Sequence, residues 1–439
     1  MGTDHGAASA VAGAAVTELI ARVTADLGPG VMSTDPARCL RASTDWAHMS
    51  PILRARLPAG LADVVAAPRA ADEIPVLLRH AYELGVPVTP RGTGLGNYGQ
   101  AIPLHGGMVL DLSQCRRILA ITDGAVTAEA GPRLRDIDKA ARRTGQELTI
   151  FPSTKGSTLG GFLAGGSGGT GSLIYGTNAD GFVRALEIAA CDGSGALRRV
   201  EGGATLPYIH AYGTTGIIAR ATVRLAPAHD WVGLFTAWDT YEQATRYLRC
   251  LRTVRPSPRL ASLDEAAIVA ALPEDPALDP ARLSVRAIVR AETVDEVRRL
   301  AQAHGGTVLG TRRGPKGADR VSSLSFNHST FHLQKHDPGY FHLEVAGDPL
   351  WADPHAVRAV FPGTVLHLEL TSASISGMLM APFDSSGQVF AGIRALESMG
   401  VSVHSPHTWI LERRIDVVRS VLAGNDPRGL LNPGKLLPL

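Results

Sequence analysis

The sequence predicts an α+β protein of two to three folding units, on three observations. The chain has 439 residues, more than one ordinary hydrophobic core organises. Strand-like and amphipathic helical runs follow one another, and near Ala228 a glycine-rich half gives way to more regular strand–helix alternation. Between Phe151 and Gly176, nine of 26 residues are glycine, yet Leu159, Phe162, Leu163, Leu173 and Ile174 keep the stretch apolar. Glycine loses the most conformational freedom on ordering, so such a segment needs a compensating reason. The reason expected here is backbone that approaches something large and flat, or offers bare N–H groups to oxygen. The alternative is a glycine-rich surface loop.

Apolar residues make up 45% of the chain and charged residues 19%, a globular composition. Lys plus Arg number 43 against 41 Asp plus Glu, a net of +2, which argues against a dedicated nucleic-acid surface. Cys39, Cys115, Cys191 and Cys250 are widely spaced and form no CxxC, so neither a disulfide framework nor a cysteine zinc site is suggested. The first Lys or Arg is Arg22, a poor signal-peptide pattern, and no run of 18 apolar residues exists. A soluble cytoplasmic protein without membrane insertion is expected. Its expected partner is a small-molecule substrate, and a homodimer is compatible with the sequence.

In chain order, residues 1 to about 12 are small and polar and read as disordered. A helix is expected over Val16–Leu27, stopped by Gly28-Pro29-Gly30, and a strand over Leu61–Ala67. Ile74, Leu77, Leu78, Ala81 and Tyr82 recur at helical spacing, and Gly85 suits the helix end. After the strand Val86–Pro90, the loop RGTGLGNYGQ carries Gly94, Gly96 and Gly99 at the spacing of a dinucleotide fingerprint. No helix follows; Pro103, Gly106 and Gly107 lead into a strand at Met108–Leu112. We therefore read an anion-cradling loop outside the Rossmann fold.

A strand pair is expected within Asp111–Gly131, a helix over Arg133–Thr144 and a hairpin over Val183–Gly202 that turns at Asp192–Gly195. Gly213–Leu225 reads as a glycine corner entering an alternating strand, closed by Pro227. Beyond it lie strands at Trp231–Trp238 and Leu283–Val289. Thr240-x-x-Gln243 and Thr293-x-x-Glu296 read as capping boxes opening helices to Leu251 and His304. Two such units predict a ferredoxin-like α+β layer. Helical periodicity returns at Val389–Met399, and the proline-rich end reads as a tail laid across the surface of another element.

Four stretches carry a family resemblance: PVTPRGTGLGNYG (87–99), PSTKGSTLGGFLAGGSGG (152–169), YGTTGIIARATVRL (212–225) and DPRGLLNPGK (426–435). In order and spacing they resemble the flavin oxidoreductases of the vanillyl-alcohol oxidase / p-cresol methylhydroxylase type, nearest the glycolate oxidase and D-lactate dehydrogenase branch. The resemblance implies a two-lobed, PCMH-type FAD-binding domain over 13–228. It also implies a substrate-capping domain over 229–400 and a C-terminal segment, 401–439, that returns to the first domain.

By the same resemblance, Arg91, Gly92, Thr93, Gly94, Leu95, Gly96, Asn97 and Tyr98 surround the FAD pyrophosphate. Pro152, Ser153, Thr158, Gly160, Gly161, Gly165, Gly166 and Ser167 lie along the flavin ring and ribityl chain. Thr215, Gly216 and Ile218 meet the adenine side or the pyrimidine edge, and Asn432 and Lys435 close the site. Family members with covalent flavin carry histidine where this chain has Leu95, so the FAD implied is non-covalent. A His-x-x-Gly-Asp-Gly metal motif of the hydroxy-acid branch is missing, which weakens the case for a simple 2-hydroxy acid substrate.

Flavin oxidation of a C–H bond needs a base for the accompanying proton, and histidine is the natural one near neutral pH. SFNHSTFHLQKH places Asn327, His328, His332, Lys335 and His336 together, and HSPHTW places His404 and His407 around Pro406. Both segments resemble forms seen in the family. His328 beside Asn327 is the first choice as base or substrate anchor, against a structural histidine bonded to backbone. Ser329-Thr330-Phe331 gives its segment strand character. No carboxylate or cysteine stands at ligand spacing, so no metal is assigned. Glu369, on an alternating strand, is a second candidate base, against an exposed edge carboxylate.

The function expected is FAD-dependent dehydrogenation of a CH–OH or CH–NH group of a small polar metabolite, with hydride passing to flavin N5. Its rival is a non-redox enzyme, such as a cyclase, or a binding protein that keeps the flavin fold as a scaffold. Reduction by NAD(P)H lacks a Rossmann unit to support it.

Overall fold

A computed structural model describes residues 4–372, 374–404 and 407–437. Three sheets follow one another along the chain. The first contains β1 (Met32–Ser33), β2 (Val64–Ala66), β3 (Val88–Arg91) and β4 (Met108–Asp111) in the order β1-β2-β4-β3. Its β2, β4 and β3 are parallel. The helix Ile74–Leu84 presses Ile74, Leu77, Leu78 and Ala81 onto it, all fully buried, and Gly85 ends the helix in the left-handed conformation (φ 69°). Each large apolar side chain so buried contributes about 1.5–3 kcal/mol.

The second sheet has the order β5-β6-β10-β8-β9, from β5 (Ile118–Thr122), β6 (Ala125–Glu129), β8 (Val183–Ala189), β9 (Leu197–Glu201) and β10 (Ile217–Pro227). Strand β7 (Gln146–Leu148) pairs with the end of β10. The hairpin read from the sequence is β8–β9, and the glycine corner at Gly213 leads into β10 as expected.

The third sheet is antiparallel throughout. Its strands are β11 (Trp231–Trp238), β12 (Leu260–Asp264), β13 (Leu283–Arg290), β14 (Thr307–Arg313), β15 (Tyr340–Ala346), β16 (Val365–Leu370), β17 (Ile375–Pro382) and β18 (Ser402–His404), in the order β14-β11-β13-β12-β16-β17-β15-β18. Two βαββαβ units, each with its strands ordered 4-1-3-2, meet edge to edge where β12 pairs with β16. One face of the seam is apolar. Leu263, Leu366, Leu368 and Leu370 enter the largest hydrophobic cluster, and the alternate positions Asp264, His367 and Glu369 face the other way.

Several expectations change. Residues 1–3 lie outside the described residues, but the expected disorder to residue 12 gives way to a helix over Asp4–Leu27. Thr240 caps its helix through Gln243 N, whereas Thr293 does not cap. A 3-10 turn at Ala291–Thr293 puts Thr293 in helical geometry, and its hydroxyl donates back to Arg290 O. The strand character read at Ser329–Phe331 is overridden: Asn327–His336 is a helix, stacking His328 and His332 with ring centroids 6.1 Å apart. Among the described residues no helix is long and apolar enough to cross a membrane.

The C-terminal tail is buried rather than superficial. Val88 N donates to Leu430 O (2.8 Å) and Asn432 N to Val88 O (2.7 Å), so the tail adds a parallel bridge at the edge of β3. Asn432 then donates through Nδ2 to Gln100 O (2.9 Å) and Tyr212 O (2.7 Å), tying the two N-terminal sheets' loops together. Asn432→Ala leaves both buried carbonyls unpaired and is expected to cost about 2–3 kcal/mol. The urea midpoint checks this, and a loss below about 0.5 kcal/mol would show the asparagine to be no strut.

Candidate functional site

A cleft of about 670 Å³ opens among the loops of all three sheets. Its floor is the β3–β4 loop and the glycine-rich segment. The main-chain N–H groups of Gly92 to Asn97 find no acceptor among the described residues, while Tyr98 N turns aside to Gln100 Oε1 (3.0 Å). Consecutive unspent amides are an anion cradle. Gly94 sits at φ 68°, where a Cβ would strike the Arg91 guanidinium. The short helix Leu159–Gly165, capped by Thr158 Oγ1 on Gly161 N (3.1 Å), runs along the cleft and ends at Gly165. A Cβ on Gly165 would meet nothing within 4 Å, so this residue leaves room in the cleft.

Of the residues singled out from the sequence, Arg91 through Tyr98, Pro152, Ser153, Thr158, Gly160, Gly161, Gly165, Gly166, Ser167, Gly216, Ile218, Asn327, His328 and His404 line this one cleft. Four do not. Thr215 is fully buried and spends its hydroxyl on Pro207 O (2.9 Å). Asn432 and Lys435 stand behind the floor; Lys435 Nζ donates to Gly99 O (2.6 Å), and burial pushes its ammonium down to about 7. His407 sits between Ser50 Oγ (2.6 Å) and His342 O (2.5 Å), buried and pushed down to about 4, a bracing role. Pro406 lies outside the described residues.

The roof belongs to the third sheet. There Glu369 is 2% exposed, in the sheet interior, not at an edge. It ends a buried chain of charges across the β12–β16 seam. Arg286 pairs with Asp264; Asp264 Oδ1 lies 2.6 Å from His367 Nδ1, and His367 Nε2 lies 2.9 Å from Glu369 Oε1. Ser329 Oγ donates to Asp264 Oδ2 (3.1 Å) and Phe326 N to Glu369 Oε1 (2.8 Å). Burial would raise Asp264, but Arg286 and His367 outweigh it and hold the carboxyl below its usual range. Burial would lower His367, yet Asp264 and then Glu369 push it up to about 9. For Glu369 burial wins, and its carboxyl lies above the usual range despite His367.

Three cleft-lining side chains carry buried polar atoms with no protein partner: Glu369 Oε2, His328 Nδ1 and Thr330 Oγ1. Buried polar groups are almost always satisfied, so unsatisfied ones lining a single cleft mark a place for a ligand. His328 is pushed down to about 4, first by burial and then by His332, and is neutral at ordinary pH. On the other wall, Arg413 Nη2 donates to Glu344 Oε2 (2.9 Å), with Tyr98 and His404 alongside. Sequence reasoning missed Glu344, Arg413 and His210. Glu344 had the alternation of its strand as a signal; Arg413 had none. Among the described residues no group of three or more His, Cys, Asp or Glu could hold a metal ion.

Residues 62–196 match the family model described as FAD binding domain. D-lactate dehydrogenase of Archaeoglobus fulgidus is 32% identical over 190 residues, 41% of this chain and 43% of the relative. Glycolate oxidase subunit GlcD of Bacillus subtilis is 35% identical over 175 residues, 38% of this chain and 37% of the relative. Mitochondrial D-2-hydroxyglutarate dehydrogenase of Rattus norvegicus is 26% identical over 209 residues, 45% of this chain and 37% of the relative. The matches thus span under half the length of these relatives. A solved alkyldihydroxyacetonephosphate synthase shares the fold, with a TM-score of 0.74 at 16% identity over 95% of this chain and 85% of that one. The chain therefore carries an FAD-binding domain, and the amide-lined loop and glycine-built floor have the donor chemistry and the room a dinucleotide requires.

Two outcomes are expected. Gly165→Leu fills the floor and is expected to weaken FAD binding about tenfold or more, a loss of about 1.4 kcal/mol or more. Gly203→Leu, equally unobstructed but away from the cleft, serves as the control; equal flavin content in the two purified variants would contradict the assignment. For His367 the folded value is raised above the unfolded ~6.5. The stability it contributes is fully present below that value and is lost as pH rises through about 9. Wild type minus His367→Gln, followed by urea unfolding across that window, isolates the effect; a flat difference would refute it.

Proposed function

We propose that this chain, with an FAD-binding domain over residues 62–196, is an FAD-linked oxidoreductase that dehydrogenates a CH–OH group of a small metabolite. A CH–NH group would need the same machinery. The observation that carries the reading is a single cleft with unspent amides in its floor and the unpartnered Glu369 carboxylate oxygen in its roof. In this reading 13–228 form the FAD-binding domain, 229–400 a cap of two ferredoxin-like units, and 401–439 the returning segment. FAD is held without a covalent bond, since Leu95 offers no nucleophile, by Arg91–Tyr98 at the pyrophosphate and by Pro152–Ser167 along the ring. Bound FAD supplies a two-electron, hydride-accepting centre.

The chain's own residues orient and deprotonate. Glu369 Oε2 takes the hydroxyl proton as the carbonyl forms. His367, cationic and pinned by Asp264, keeps Glu369 Oε1 fixed, so the free oxygen points at one place. His328 Nδ1 and Thr330 Oγ1 offer neutral hydrogen-bonding groups that anchor substrate without competing for the proton. The apolar lining from Phe326, Phe331 and Met378 excludes water and strengthens these contacts.

A second reading keeps the flavin as a non-redox scaffold, and it draws on the fold likeness to a protein named as a synthase. Anaerobic mixing with candidate alcohols, hydroxy acids and amines separates the two, because only the first reading bleaches the flavin. Glu369→Gln is expected to slow bleaching about 10²–10⁴-fold with flavin content unchanged. The wild-type rate is expected to rise with pH through a carboxyl value above the usual range, because the acceptor must be ionised. Glu369→Gln turnover within about threefold of wild type would remove Glu369 from the role, since a general base contributes far more than that.

A further inference from the structure

We infer that the chain has a second, separate ligand site that takes a compact organic polyanion, a phosphate ester or a polycarboxylate. A chamber of about 570 Å³ lies behind the phosphate-cradling loop, sharing with the cleft only the wall formed by Arg91, Gly92, Thr93 and Thr158. Five arginines line it from four segments: Arg38 and Arg41 on the helix Pro36–Ala42, Arg91 at the end of β3, Arg116 after β4, and Arg133 ahead of the helix Leu134–Arg142. Two carboxylates, Asp111 and Asp136, oppose them, leaving a local excess of three positive charges in a chain whose net charge is +2.

These arginines are not consumed by the fold. Arg38, Arg41 and Arg133 make no side-chain hydrogen bond or ion pair with the described residues, and Arg116 uses only Nε, on Ser113 O. Arg91 is the fixed member: Nη1 donates to Ala42 O (3.1 Å) and Thr44 O (2.6 Å). Asp111 is partly occupied, accepting from Ser113 N (3.0 Å), and Asp136 has only Arg135 nearby at 3.9 Å. Planar, weakly hydrated guanidiniums that face one space without partners suit bidentate capture of phosphate or carboxylate oxygens. Ala42, Val65, Ile118 and Pro132 give the same chamber an apolar side, which fits an organic body rather than a bare ion.

The neutral alternative is a solvated arginine face, and the location argues against it. Arg41, Arg116 and Arg133 are exposed and Arg38 and Arg91 half-buried, but all five line one concave space, in which their fields add. The inference does not rest on the oxidoreductase reading, because neither the cap nor Glu369 takes part.

The test uses the full chain loaded with FAD and titrates inorganic pyrophosphate and, separately, a tricarboxylate at moderate salt by calorimetry. Saturable one-to-one binding is expected for at least one probe, weakening as salt is raised. The double variant Arg41→Glu, Arg133→Glu is expected to lose tenfold or more in affinity with flavin content and thermal midpoint unchanged. Arg133→Gln alone, the milder change, is expected to lose less in the same direction. No saturable binding by either probe, or equal affinity in the double variant, overturns the site. Release of flavin by the probe would also overturn it, since the anion would then be occupying the cofactor cleft.

Discussion

The β12–β16 pairing is the contact on which the C-terminal half depends. It joins two βαββαβ units into one sheet, and the same three residue pairs set both faces of the joint. Leu263 and Leu368 go to the core, while Asp264 and His367 go to the cleft side. A slip of one residue would bury the charges among leucines and turn the leucines to the cleft. Burying Arg286, Asp264, His367 and Glu369 together is tolerable only because each charge meets an opposite one at hydrogen-bonding distance. Removing any single member leaves an uncompensated buried charge. The network is thus better understood as a device that fixes register and orientation than as a source of stability.

The N-terminal half solves a different problem. Its loops must leave amides unpaired without collapsing, so they are braced from behind. Asn432 holds Gln100 and Tyr212 carbonyls, and Lys435 holds the Gly99 carbonyl, both from a tail that is itself pinned to β3. Lys435 accepts a depressed ammonium value in that position because its donor capacity is what the buried loop needs. These residues carry the motif signature in the sequence, yet they act on the cleft through the loop and not by touching it.

Much of the first half was legible because its constraints are local. The glycines of residues 92–99 and 156–169 announce themselves in composition, and the failure of the fingerprint context, Pro103 where a helix should start, told Rossmann from non-Rossmann. The second half was less so. Thr293 has the spacing of a capping box, but a preceding 3-10 turn decides its geometry. Ser329–Phe331 has β-type residues, but contacts with the β12–β16 seam favour a helix, with Ser329 bonding Asp264 and Phe326 N bonding Glu369. The alternation in VLHLEL correctly gave a strand; that it lies inside an eight-stranded sheet depends on pairing with residues about a hundred positions earlier. The distinction between exposed edge carboxylate and buried cleft carboxylate was therefore not available from the segment itself.

Ring-nitrogen partners separate two histidines that look alike in the sequence, His328 and His407. His407 is buried and His328 half-buried; desolvation depresses both, and both are neutral at ordinary pH. His407 has both ring nitrogens engaged, by Ser50 and by the His342 carbonyl, so it has no capacity left for a substrate. His328 retains an unpartnered Nδ1 on the cleft wall. A low basicity makes His328 a poor proton acceptor at neutral pH, and among the cleft-lining side chains Glu369 combines a raised carboxyl value with an unpartnered oxygen, which is why the proposed acid–base role falls to it. Its neighbour His367 holds Oε1 through Nε2, and Oε2 is left without a protein partner.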